Sequence, residues 1–207
     1  MIKLLPILEQ VLNEDLTGKH LVVVDIQPEY QSGFGRMASQ LADVINENMP
    51  LLSRVTFLYN GADTLGMISE NDYKNWWYEQ GLDEDIAFNA HYYDKGYAFF
   101  RYCMDQGIDE DKIVNLVKYM IAEGVNDSRD LGEEFWDGFI DKYGDEDIRA
   151  LVEFSDDALH IPDLMDEMSN YSNIVLCGGH IHECLKEVEI ALNAMDKPYI
   201  MLDEFTY

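Results

Sequence analysis

Apolar and polar positions alternate between two periods along this chain. An amphipathic segment over residues 4–16 gives way to HLVVVDIQ, residues 20–27, a continuous apolar run of the kind found in strands buried on both faces. Met37, Leu41, Val44, Ile45 and Asn48 then fall on one side of a helix, and the apolar run Arg54–Tyr59 predicts a second strand. Further strands are expected at about residues 86–92, 174–177 and 199–202. Between the third and fourth, Ile113, Leu116, Val117, Met120 and Ile121 form one 3.6-period face, and helical patterns follow near residues 133–142 and 146–154, with Trp136 and Phe139 expected to dock those helices.

Strands alternating with helices predict an α/β fold: a doubly wound, mostly parallel sheet of about five strands, Rossmann-like in arrangement. The helical stretch at roughly residues 101–160 reads as an insertion into one domain spanning 1–207, because no linker rich in Pro, Gly or Ser and no internal repeat marks a boundary.

Charge narrows the choice of function. The chain has 207 residues, with 41 acidic against 14 basic side chains and a net charge of −27. A charge of that sign repels phosphate backbones, so direct nucleic-acid binding is not expected. A solvated, solubilising surface is the plain reading; an acidic interaction surface, even a DNA mimic, is the sharper one. The acidic clusters near Asp109, Asp127 and Asp145 do not follow the calcium-loop spacing. Three cysteines make no even framework and no CxxC pair, and no basic start followed by an apolar core opens the chain. A reducing cytoplasm is the expected compartment. The longest apolar runs are strand-sized, so no membrane span is expected.

The stretch NIVLCGGHIHECLKEVEIALNAM, residues 173–195, carries the most chemistry. It reads as a buried strand, a Gly178-Gly179 turn and a helix opening near Cys184. A cysteine at the first turn of a helix meets free backbone N–H groups and the positive end of the helix dipole, which favour thiolate and can hold an oxyanion. The opposing reading is a packed, inert thiol, and the adjacent Glu183 and Glu187 disfavour a thiolate. His180, His182 and Cys184 alternate and could ligate a metal, but three ligands in one turn leave a fourth unexplained; a turn-bonding histidine and a solvated one are the simpler reading of the pattern. Gly178-Gly179 matches neither GxGxxG nor a Walker loop.

In an open parallel sheet, ligands bind beyond the carboxyl ends of the strands. The first strand runs out at Asp25, the third near Asp94 and Lys95, and the fourth shortly before Cys184. An aspartate to take the thiol proton, a lysine to favour the thiolate and a cysteine at a helix start form a complete nucleophilic set.

These residues resemble a known family. VVVDIQPEY, residues 22–30, is similar to the opening strand of the isochorismatase-like cysteine hydrolases, and YYDKGYAFF, residues 92–100, to that family's lysine segment. Residues 163–192, DLMDEMSNYSNIVLCGGHIHECLKEVEIAL, resemble its final helix, strand, glycine turn and cysteine helix. The ending also resembles phage-encoded proteins with a Gly-Gly, Glu-Cys-Leu signature, which would move the expected compartment to the host cytoplasm.

The resemblance implies a catalytic triad of Asp25, Lys95 and Cys184, backbone oxyanion donors at Ile181, His182 and Glu183, and hydrolysis of an amide or related C–N or C–O bond of a small molecule. Candidates for substrate contact are Gln27, Asn60, Trp76, Trp77, Tyr97 and His180; Asn60 can equally cap a turn, and an aromatic cluster at helical spacing, such as the tryptophans make, is more often core. Where the family carries Thr-Asp before its cysteine, this chain has Ile181 and His182. The Asp-x-His metal arrangement of the nicotinamidase branch has no counterpart in YNGADTLGM, so neither metal nor other cofactor is expected. A homo-oligomer is left open. The rival from another class is a non-catalytic binding or interaction protein on the same fold, using its acidic surface.

Overall fold

A computed structural model of the chain describes residues 16–62, 67–95, 99–127, 130–153 and 164–207. The amphipathic reading of residues 4–16 therefore lies almost wholly outside the described residues. The fold is α/β, with a five-stranded parallel sheet in the order β3-β2-β1-β4-β5. The strands are β1 (His20–Val24), β2 (Arg54–Tyr59), β3 (His91–Asp94), β4 (Ile174–Gly178) and β5 (Tyr199–Met201). The order runs outward from β1 through β2 and β3 and then resumes on the other side with β4 and β5, the doubly wound, Rossmann-like arrangement. It puts the topological switch point between β1 and β4.

The central strand explains itself. Every residue of β1 is buried, and its three consecutive valines suit a strand covered on both faces, where β-branched side chains pack without rotamer cost. The register pairs Val24 with Leu58 on one side and with Gly178 on the other. β1 is shorter than its apolar run because Asp25 adopts a left-handed backbone, φ 45°, which breaks the ladder and turns the chain.

Helices follow the strands in chain order: α1 (Gln31–Phe34), α2 (Met37–Asn48), α3 (Glu70–Glu79), α4 (Glu84–Asn89), α5 (Phe99–Asp105), α6 (Glu110–Glu123), α7 (Glu133–Tyr143), α8 (Glu146–Glu153), α9 (Leu164–Ser169) and α10 (Cys184–Ala194). The chain divides into two compact units, one of Met1–Gly96, Tyr171–Leu185 and Pro198–Tyr207, the other of Tyr97–Asn170 and Lys186–Lys197. In the first, α2 buries Leu41, Val44, Ile45 and Asn48, the face read from sequence. Ser69 caps α3, accepting from the Asp72 N–H at 3.2 Å, and the helix buries Tyr73 and Trp77. Trp77 lies 4.8 Å from the Phe57 ring of β2, and Phe57 stacks on Tyr92 of β3 at 4.9 Å. Aromatic pairs of this kind add about 0.5–1.5 kcal/mol each beyond the area they bury.

Two expectations change. Residues 86–89 belong to α4, not to the third strand, which begins at His91. Three acids, Asp83, Glu84 and Asp85, stand at the helix start where the dipole favours them, and the Asp83 carbonyl accepts from the N–H groups of both Ile86 and Ala87. In the second unit α6 buries Ile113, Leu116, Val117 and Met120, but Ile121 is exposed. Asp109 caps α6 and Gly124, φ 70°, ends it. In α7, Trp136 and Phe139 are fully buried. Of the acids in this region, Asp109, Asp111, Asp130, Glu133, Glu134, Glu146 and Asp147 are exposed, whereas Asp127 is buried. Among the described residues no helix is long and apolar enough to cross a membrane.

Candidate functional site

The parallel register makes one edge of the sheet chemically rich. Beyond β1 the left-handed turn at Asp25 carries its carboxylate off the strand line, and the residue is wholly buried. Its N–H still donates to the Leu58 carbonyl at 2.9 Å, which ties the turn to β2. Beyond β3, the Lys95 N–H donates to the Tyr59 carbonyl at 2.9 Å, holding the lysine against the end of β2. The Lys95 Nζ then reaches the Asp25 Oδ2 at 3.1 Å, with both side chains almost fully removed from solvent.

Asn60, directly after β2, completes this cluster. Its Nδ2 donates to the same Asp25 Oδ2 at 3.2 Å and lies 3.2 Å from the Tyr30 hydroxyl. Gln27 fixes Asn60 through its backbone: the Gln27 Oε1 accepts from the Asn60 N–H at 2.9 Å, and the Gln27 Nε2 approaches the Asn60 carbonyl at 3.4 Å. The same Nε2 donates to the Glu29 Oε2 at 3.1 Å, and the Tyr30 hydroxyl donates to the Met67 Sδ at 3.3 Å. Two buried oxygens, the Asp25 Oδ1 and the Asn60 Oδ1, have no hydrogen-bond partner among the described residues.

Cys184 opens α10 and is half-buried, unlike Cys103 and Cys177, which are buried. The turn leading to it is tightly bonded. The Ile181 N–H donates to the Tyr207 carbonyl at 2.8 Å, the His182 N–H to the His180 Nδ1 at 3.3 Å, and the Glu183 N–H to the His180 carbonyl at 3.0 Å. The three backbone donors expected to hold an oxyanion are thus engaged within the protein. The His180 and His182 rings lie 5.9 Å apart, and no group of three or more His, Cys, Asp or Glu side chains among the described residues is arranged to hold a metal ion.

Two tyrosines feel the charges of these groups. Burial raises the pKa of the Tyr30 hydroxyl, the Asp25 charge raises it further and Cys184 adds to the effect, against lowering by the Asn60 hydrogen bond and by Lys95. Burial likewise pushes up Tyr207, helped by Cys184 and then by Asp25, Tyr30 and Glu183. Each phenol therefore sits within electrostatic reach of both Cys184 and Asp25.

Tyr207 is clasped in place. Its N–H donates to the Gly179 carbonyl at 3.1 Å, its own carbonyl takes the Ile181 N–H, and its hydroxyl approaches the Asp25 carbonyl at 3.4 Å. Its ring lies 5.7 Å from Phe34 and 6.1 Å from His180, centroid to centroid. No periodicity flags a lone tyrosine after a 3-10 turn, so the sequence reading missed it. Tyr30 was within reach of that reading, as the aromatic of the PEY turn after Gln27.

The other expected contacts divide. Trp77 is core, fully buried on Phe57. Trp76 is half-buried, 6.1 Å from Phe34, which in turn adjoins Tyr207. Tyr97 lies outside the described residues. Gln27 and Asn60 are drawn into the Asp25 cluster, and His180 bonds the turn before Cys184. No protein-family model matches this chain, and neither a curated protein nor a solved structure matches it.

Proposed function

We propose that the chain is a cysteine hydrolase of the isochorismatase-like kind, cleaving an amide or related C–N or C–O bond of a small molecule. The observation that carries this reading is the buried 3.1 Å Asp25–Lys95 pair at the carboxyl edge of the sheet, beside the switch point where Cys184 begins its helix. Structural ion pairs are seldom sunk into a sheet edge, because desolvating both charges costs several kcal/mol per ion. A half-buried thiol opening the helix after the neighbouring strand β4 supports a chemical use for that pair.

In this reading Asp25 takes the Cys184 proton, and the thiolate, favoured by Lys95, attacks the substrate carbonyl. The tetrahedral intermediate collapses as Asp25 returns the proton to the departing amine or alcohol, leaving a thioester. A water then gives a proton to Asp25 and adds to the thioester carbonyl. Collapse releases the acid and returns that proton to the cysteine sulfur, restoring the free thiol. Because the Asp25 Oδ2 already faces Lys95 and Asn60, the Oδ1 is the oxygen that exchanges protons. The oxyanion needs donors, and the Ile181 N–H serves only once Tyr207 yields it.

The test is cysteine alkylation read by mass spectrometry at neutral pH. Burial raises the Cys103 thiol to about 12 and pushes Cys177 higher still, so both should stay unlabelled in the folded protein. Cys184 should label first, by at least about tenfold, and both Lys95→Ala and Asp25→Asn should slow it. Equal and slow labelling of all three cysteines would favour the rival, an acidic interaction protein. That rival draws on the exposed acids of α6 to α8, and its partner would be lost as salt screens charge.

A further inference from the structure

We infer that Asn60 is a specificity-determining residue, its buried amide oxygen accepting a hydrogen from an N–H or O–H that the substrate carries beside the bond Cys184 attacks. The inference rests on the hydrolase reading and deepens it by naming a chemical feature the substrate must have.

The orientation of the Asn60 amide is dictated by its neighbours. An ionised carboxylate accepts and never donates, so the atom facing the Asp25 Oδ2 at 3.2 Å must be the amide nitrogen. The oxygen is thereby turned the other way. Asn60 is only 3 % exposed, and this Oδ1 has no partner among the described residues. Gln27 holds the Asn60 backbone, and the Nδ2 meets both the Asp25 Oδ2 and the Tyr30 hydroxyl, so the amide cannot swing to satisfy its oxygen without breaking those two contacts.

A second orphan lies beside it. The Asp25 Oδ1 is also buried without a partner, and Asp25 is 0 % exposed. The two side chains are linked through the Asn60 Nδ2, so both oxygens belong to one small region. Two unsatisfied acceptors at one place leave no donor for each other; both ask for hydrogens from outside. A ligand that brings a donor removes the desolvation penalty of an orphaned oxygen, while an isostere without one leaves it standing. Tyr207 ties this region to the turn before Cys184, since its hydroxyl approaches the Asp25 carbonyl at 3.4 Å and its own carbonyl takes the Ile181 N–H at 2.8 Å.

The experiment uses two alkylating agents of nearly equal size on the intact chain. Iodoacetamide carries N–H donors next to its carbonyl, and methyl iodoacetate carries none; in both, the thiolate sulfur displaces iodide from the methylene carbon. The rate ratio at Cys184, divided by the same ratio for glutathione, isolates what the site adds. The expected result is a preference for iodoacetamide of at least about tenfold in the native chain. Asn60→Leu, close in size but without the oxygen, should bring the ratio back to that of glutathione. A native ratio equal to that of glutathione overturns the inference without any variant, as does a preference that survives Asn60→Leu. In either case Cys184 would still label ahead of the other cysteines, so the hydrolase reading would stand. If Cys184 labels no faster than Cys103 and Cys177 with either reagent, the hydrolase reading itself fails and takes this inference with it.

Discussion

Asp25 pays twice for its position, once in backbone conformation and once in solvation. A non-glycine residue at φ 45° carries about 1–2 kcal/mol of steric cost, less for Asp than for bulkier side chains. Burying its carboxylate is tolerable only because Lys95 and Asn60 meet the Oδ2. Removing one member of such a pair strands the other charge. Lys95→Met should therefore destabilise the fold by about 3–5 kcal/mol, and Asp25→Asn by a similar amount, whereas the double variant should recover most of the loss. Urea denaturation of the four proteins measures this; additive losses would mean that the pair is not coupled. The motif spacing made Asp25 and Lys95 legible in the sequence, because each closes an apolar strand on the same edge. Asn60 was legible only as an ambiguous turn residue, since its role depends on which atom faces a carboxylate from another strand.

At the level of elements, Gly178 decides how closely β4 approaches β1. It ends β4 at φ 84°, and a Cβ there would run into the Val24 carbonyl oxygen, a backbone atom with no freedom to move aside. Gly178→Ala should cost roughly 2–4 kcal/mol through strain and steric displacement. It should also slow Cys184 alkylation, because the turn that sets the cysteine hangs from the same strand end; a thermal melt together with the labelling assay checks both. β2 was readable to its ends and α2 by its buried face, since each shows one period without interruption. The third strand was misplaced because Ile86, Ala87 and Phe88 are apolar enough for a strand, while the acids before them, which start α4, act through the backbone dipole and leave no period. Ile121 shows the converse error: the period is right, but the buried face of α6 is narrower than its apolar stripe.

For the whole molecule, the buried phenols and thiols set an alkaline limit. Burial raises the pKa of Tyr73 and Tyr92 in the core, as it does for Tyr30, Tyr207, Cys103 and Cys177. The unfolded chain releases these protons near the ordinary values of 9.0 for thiols and 10.0 for phenols, while the folded chain keeps them. Folding stability is thus fully present below those values and falls as pH rises through them. The urea midpoint should drop between about pH 8 and about pH 10.5, and a flat profile across that range would contradict the burial.

The strand order has a consequence in time as well as in space. β1 finds one neighbour in β2 soon after it is made, but its other neighbour, β4, lies about 150 residues further along the chain. At a synthesis rate of about 5–20 residues per second, one edge of the most apolar strand stays open for roughly 8–30 s while the rest of the chain emerges. During that interval the three valines of β1 are the segment a chaperone would have to shield. The strand that leads to the Cys184 turn pairs with β1 only when that interval ends.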